Sequence, residues 1–158
     1  MSDINYEKYE YYMKNSPHVV ILGAGASCAA IPNGDKHGKC ISAMSGFIDK
    51  LGLTDIISKV NIKTKSDNLE DIYMELDDRS KYEPDCYSVK IELEKVIRDY
   101  MSSFVLPDEP TIYDFLVMSL TSKDLIATFN WDPFLVQAIA RAQRYTNNIP
   151  QVAFLHGN

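Results

Sequence analysis

The sequence is short of what several protein classes need. Its 3 cysteines, Cys28, Cys40 and Cys86, are odd in number and scattered, which argues against a disulfide framework. Without a CxxC pair a structural zinc ribbon is not expected, and no metal site is. No apolar run approaches the ~20 residues that span a bilayer. The opening stretch MSDINYEKYEYYMKNS is acidic and tyrosine-rich, unlike the basic and apolar regions of a secretion signal. A cytoplasmic chain that enters no membrane is therefore expected. Positive charge is scarce as well: Lys+Arg total 16 against 22 Asp+Glu, a net charge of −6, and the basic residues sit among acids, as in KTKSDNLED. Nucleic-acid binding calls for a basic face, so direct binding by this chain is not expected. Glycine is also sparse, with 7 in all, so the pair in GAGAS (23–27) stands out.

What remains is ordinary for a globular chain. The 158 residues are enough for one domain with a core, and 46% are hydrophobic against 24% charged. HVVIL (18–22), DLIATF (124–129) and QVAFL (151–155) are short apolar runs that read as strands, the first of them buried. Tyr6, Tyr9, Tyr12 and Met13 have helical spacing and predict a short amphipathic helix docked on the domain or at an oligomer contact. Residues 25–30 read as a helix stopped by Pro32. Ile41, Met44, Ile48 and Leu51 recur at three- and four-residue steps and suggest another. Ser66 or Asp67 is expected to cap a helix carrying Leu69, Ile72, Tyr73 and Leu76. Pro84 opens a longer one, with Val89, Leu93, Val96, Ile97, Tyr100 and Phe104. After the break at PDEP, Thr111 and Asp114 form a capping box, and Pro133 suits the first turn of the helix that follows the second strand.

Strands separated by helices predict an α/β chain with a parallel, Rossmann-like sheet, and a helical module at about 36–122 inserted between its strands. Three strands are fewer than the ~5–6 of a typical sheet. The expectation is the N-terminal part of a larger domain. In a parallel sheet ligands sit beyond the carboxyl ends of the strands. GAGAS lies there after the first strand, where bare backbone N–H groups and a helix start suit a diphosphate. Gly23 and Gly25 match the start of a dinucleotide fingerprint, but Cys28 stands at its third glycine. No acidic residue follows on a second strand where a nicotinamide dehydrogenase would hold its ribose, and neither G-K-[ST] nor G-x-S-x-G is present. A plain tight turn explains the loop as well. Asn130, Trp131 and Asp132 follow the second strand, and His156 the third, so Gly25, Asn130 and His156 are expected to line one crevice. Asn130 is also placed to cap the next helix, spacing alone favours that role for Asp132, and Trp131 fits a core at least as well as a ligand. His18 and His37 read as structural or solvent-facing.

In order along the chain, GAGAS, IPNGD, TFNWD and the His-Gly pair resemble the sirtuin family. IPNG and LEDIYMEL are more similar to bacterial defence-type sirtuins than to protein deacylases, which carry DFR where this chain has NGDKHGK. The resemblance implies NAD as the consumed substrate, with Gly23, Ala24, Gly25 and Ser27 near its diphosphate and adjoining ribose. It implies Asn130 at the nicotinamide ribose, Asp132 at the nicotinamide amide, with Trp131 beside them, and His156 as the catalytic histidine. The four zinc cysteines of deacylases follow the His-Gly pair, so no metal is implied for this stretch.

The expected activity is hydrolysis of NAD to nicotinamide and ADP-ribose, serving antiphage defence by NAD depletion. Such an enzyme must be silent until triggered, which implies a sensor or effector domain or partner protein, and a homo-oligomer is expected. The alternatives are an NAD-dependent protein deacylase and a non-catalytic NAD- or ADP-ribose-binding regulatory module.

Overall fold

A computed structural model of the chain describes residues 6–41 and 46–155. Within the described residues it divides into two compact units. One comprises Met1–Ala30, Asp108–Asn130 and Phe134–Asn158, and the other Ile31–Pro107 with Trp131–Pro133. The second unit is thus bounded differently from the expected 36–122 module: the helix that follows PDEP groups with the strands.

The first unit is built on three short parallel strands, β1 (Val19–Leu22), β2 (Leu125–Thr128) and β3 (Gln151–Phe154), in the order β1-β2-β3. Val19 pairs with Leu125 and Leu125 with Gln151, and the register runs on to Leu22, Thr128 and Phe154. The mixed α/β class and the parallel sheet expected of the sequence are therefore present. The helices of this unit are α1 (Tyr6–Asn15), α2 (Ala24–Ala30), α7 (Ile112–Ser119) and α8 (Phe134–Ala142). Both returns of the chain cross the sheet in the same direction, so the right-handed crossover rule puts α2, α7 and α8 of this unit on one face. As the rule requires, α7 packs on α8, and α2 on α7.

That arrangement explains a departure from expectation. Paired residues in a parallel sheet share a face and neighbours along a strand alternate. Leu22, Ile126 and Thr128 share the covered face and are buried. Val19 and Ile21 share the other face and are 63% and 67% exposed, so β1 is not the buried strand its composition suggested. The tyrosines Tyr6, Tyr11 and Tyr12 of α1 are also exposed, so the described part of that helix does not bury them.

The strand starts are locked by one carboxylate. Asp124, 2% exposed, accepts from the N–H of His18 and the N–H of Thr121, each at 2.8 Å, and from the Thr121 hydroxyl at 3.0 Å. His18 Nδ1 also lies 3.0 Å from it. The backbone N–H of His18 and the other donors outweigh burial and hold this carboxyl well below the usual carboxylate range. A depressed folded-state value means the contribution is full above the unfolded value of about 3.9 and is lost as pH falls through the folded one. Asp124→Asn is therefore expected to lower the urea midpoint at pH 7. The gap to the parent should narrow progressively below pH about 4, as acid titrates the parent. A gap independent of pH would refute the role of the charge.

The second unit is helical. It contains α3 (Phe47–Lys50), α4 (Thr54–Ile57), α5 (Leu69–Ser80) and α6 (Pro84–Ser102). Of the helix read from Ile41, Met44, Ile48 and Leu51, the described residues hold the single turn α3, and Met44 lies outside them. The N-cap of α5 is Asn68, not Ser66 or Asp67: its side chain accepts from Glu70 N–H at 3.0 Å. Ser66 instead takes the N–H of Asn68 at 3.1 Å and shapes the approach. Leu69, Ile72 and Leu76 of α5 and Cys86, Val89, Leu93, Ile97 and Met101 of α6 form the buried stripes of two packed helices. Phe47, Tyr100 and Phe104 stack edge to face at 5.4 and 5.1 Å between centroids. No helix among the described residues is long and apolar enough to cross a membrane.

Candidate functional site

Parallel pairing carries the carboxyl ends of the strands to one edge, and Asn130 shows how. The strand ladder continues past β2, where Phe129 N–H donates to Leu22 O at 3.0 Å. Thr128, the last residue of β2 and buried, then turns the chain by accepting the N–H of Asn130 on its Oγ1, also at 3.0 Å. The side chain of Asn130 thereby swings back across 107 positions of sequence to the glycine loop, where Nδ2 donates to Gly23 O at 3.0 Å. The same nitrogen lies 2.7 Å from Ser27 Oγ and 3.1 Å from the Tyr113 hydroxyl. Ser27 Oγ and the Tyr113 hydroxyl are themselves 3.0 Å apart.

This geometry fixes the amide. Gly23 O can only accept, so the group facing it must be the N–H₂. Two hydrogens serve three oxygens, and each of the hydroxyls can accept one while donating elsewhere. Oδ1 is left as the free end of the amide and accepts from no described residue. The amide does not cap α8.

Ser27 and Tyr113 are both buried, at 0% and 2% exposure, so the serine hydroxyl faces the interior. Tyr113 is set in place by the capping box at the start of α7. There Asp114 Oδ2 accepts the N–H and the hydroxyl of Thr111, each at 2.7 Å, and Arg141 Nη1 of α8 approaches the same oxygen at 3.4 Å.

The glycines behave differently from the reading that a tight turn demands them. Neither Gly23 nor Gly25 has positive φ, and a Cβ built on either meets nothing within 4 Å among the described residues. Ala24 is exposed and begins α2. The loop closes on itself through Ala26 N–H to Gly23 O at 2.9 Å. What the two glycines provide is an open approach to the backbone.

The structure thus brings Gly23 and Ser27 onto Asn130, with Ala24 and Gly25 between them in the first turn of α2. Trp131 and Asp132 group with the second unit; Trp131 is 36% exposed and Asp132 half-buried. His156 and Gly157 lie outside the described residues. Of the remaining histidines, His18 is on Asp124, and His37 is exposed on a loop where its N–H donates to Asp35 at 2.8 Å. Among the described residues no group of His, Cys, Asp and Glu could hold a metal ion.

Sequence reasoning missed Tyr113 and Thr128. A signal existed for the first: Tyr113 lies on the core-facing stripe of α7 with Val117, and a buried tyrosine has a hydroxyl to place. Compared with known proteins, the chain matches no family model and no curated protein.

Proposed function

We propose that the chain is a sirtuin-like NAD glycohydrolase, cleaving NAD to nicotinamide and ADP-ribose. The observation that carries the reading is the Asn130 amide. Its nitrogen is committed to Gly23 O, Ser27 and Tyr113 beside two glycines whose bareness nothing among the described residues requires. A purely structural asparagine has no need of a neighbouring open backbone. An asparagine that serves a dinucleotide does.

The chemistry asks little of a nucleophile. The bond between C1′ of the ribose and the ring nitrogen breaks, its electron pair goes to nicotinamide, and nicotinamide leaves neutral. The sugar passes through an oxocarbenium-like state, as in glycoside hydrolysis. Water adds at C1′ and gives up a proton, so NAD and water yield nicotinamide, ADP-ribose and a proton. Asn130 Oδ1 accepts an O–H from that water or from a ribose hydroxyl and holds it in place. An amide suits the task because it keeps one charge state across the working pH range. His156 is assigned the general base that takes a proton from a ribose hydroxyl. By the same resemblance the reaction serves antiphage defence by NAD depletion, under the control of a sensor or partner protein.

The test is to incubate the chain with NAD, quantify nicotinamide by chromatography and measure NAD binding by calorimetry. Hydrolysis without any acyl-lysine peptide supports the proposal. Release that depends on such a peptide identifies a deacylase, binding without turnover identifies a regulatory module, and absence of binding sinks all three readings.

One variant separates the loop's ligand role from its folding role. Gly25→Ala adds a methyl in open space within α2, so the fold should be unchanged or more stable by about 0.5–1 kcal/mol. The same methyl stands where a diphosphate must approach the backbone, so KM for NAD should rise about tenfold or more. Thermal melting and steady-state kinetics on one preparation read both effects. An unchanged KM would remove the loop from the site.

A further inference from the structure

We infer that Tyr113 is the positioning residue of this site: its buried hydroxyl, with Ser27, holds the Asn130 amide in the one orientation that leaves Oδ1 available to the substrate. The inference rests on the NAD-cleaving reading for its kinetic consequence, but its structural content stands apart from that reading.

The argument starts from what each polar atom can do. Ser27 and Tyr113 are buried hydroxyls supplied by different elements, α2 and α7, and they meet at 3.0 Å. Burying hydroxyls is unfavourable unless each finds a partner, so a pair placed together is a constraint on both elements. The third member, Asn130, arrives from the end of β2 and is only half-buried. It is therefore the one member of the cluster that reaches from the interior to the surface.

Gly23 O alone fixes which end of the amide faces inward, but a single bond lets the side chain swing about its torsions. The two hydroxyls at 2.7 and 3.1 Å supply the second and third points that stop it. Ser27 Oγ meets both Asn130 Nδ2 at 2.7 Å and the Tyr113 hydroxyl at 3.0 Å, and the Tyr113 oxygen is fixed in the plane of a ring packed in the core. Tyr113 thus orients Ser27, and both orient Asn130. The capping box at Thr111 and Asp114 fixes the turn of helix that carries the ring.

The test is Tyr113→Phe, which removes one oxygen and keeps the ring. With the parent hydrolysing NAD, the variant is expected to lose kcat about 5- to 20-fold while KM for NAD stays within about twofold. Selective ¹⁵N labelling of asparagine reads the amide itself. The Asn130 side-chain NH₂ pair, assigned by its loss in Asn130→Ala, should shift and broaden in Tyr113→Phe. A variant with parental kcat and unmoved Asn130 amide signals overturns the inference and leaves the NAD reading standing. A parent that turns over no NAD sinks that reading instead, and the amide signals alone then decide Tyr113: moved signals uphold the positioning role and unmoved ones refute it. Loss of kcat without any change at the amide also overturns it, because the hydroxyl would then act by another route.

Discussion

Asn130→Asp is expected to cut nicotinamide release from NAD by about 100-fold or more, although the two side chains have the same shape. The parent nitrogen donates to Gly23 O at 3.0 Å, and a carboxylate has no hydrogen to offer there. Two oxygens with lone pairs would face each other at that distance, and the side chain must turn away. Turning away removes it from Ser27 and Tyr113 as well, so the whole cluster loses its geometry at once. The free end of the side chain, which the parent presents as a neutral acceptor, also becomes anionic beside the loop proposed to take a diphosphate. Asn130→Ala serves as the comparison: it deletes the acceptor without adding repulsion, so the aspartate variant should be no more active than the alanine one. Turnover measured under saturating NAD settles the matter, and parental activity in Asn130→Asp would show that the amide takes no part.

Gly34→Ala is expected to cost about 3–5 kcal/mol and to unfold the second unit at far lower urea than the parent. Gly34 has φ +93°, a conformation that L side chains rarely adopt, and a Cβ there would stand 2.6 Å from the carbonyl carbon of Gly38. The obstacle is backbone, which cannot rotate aside as a side chain would. Nor can the loop relax as a whole, because it is tied at several points. Gly34 N–H donates to Ile31 O at 2.9 Å and Gly38 N–H to Asp35 O at 2.8 Å.

The Asp35 carboxylate is buried at 5% exposure. It takes the N–H groups of His37 and Lys39 at 2.8 Å each and that of Val105 at 3.1 Å. Burial pushes its pKa up, but those three backbone donors outweigh burial and the carboxyl ends below its usual range. Gly38→Ala is the control: φ is +76°, yet a Cβ meets nothing within 4 Å among the described residues, so only the conformational cost of about 1–2 kcal/mol applies. Urea curves that coincide for the two variants would show that the close approach to Gly38 carries no weight.

These two residues also mark what could be read from the sequence and what could not. The strands, the long helix from Pro84 and the capping box at Thr111 were legible because each is written in local spacing. The Asn68 cap was not, because Ser66, Asp67 and Asn68 are all competent and only the start of the buried Leu69–Ile72–Leu76 stripe chooses among them. The exposure of Val19 and Ile21 was hidden for a different reason. A β-branched run records that a strand forms, while burial depends on what covers each face of the sheet. The site was half legible. GAGAS and TFNWD announced themselves, and the sheet joins Gly23 and Ser27 to Asn130. Tyr113 was silent because its contact with Ser27 spans 86 positions and exists only once α7 has been set beside α2. Trp131 and Asp132, adjacent to Asn130 in the chain, group with the other unit.

The pairing of β1 with β2 sets an order of assembly during synthesis. β1 and β2 are joined by a carboxylate contact that spans 106 positions, so β1 must wait for its neighbour. In the interval the chain delivers the stretch Ile31–Pro107, whose α5 and α6 are close in sequence and pack on each other. Local contacts form sooner than distant ones, so the helical unit is expected to be in place first, with the sheet closing late. Until it closes, the VVIL segment is an unpaired apolar strand, and it is there that a nascent chain of this protein is most exposed to chaperones or to misassembly.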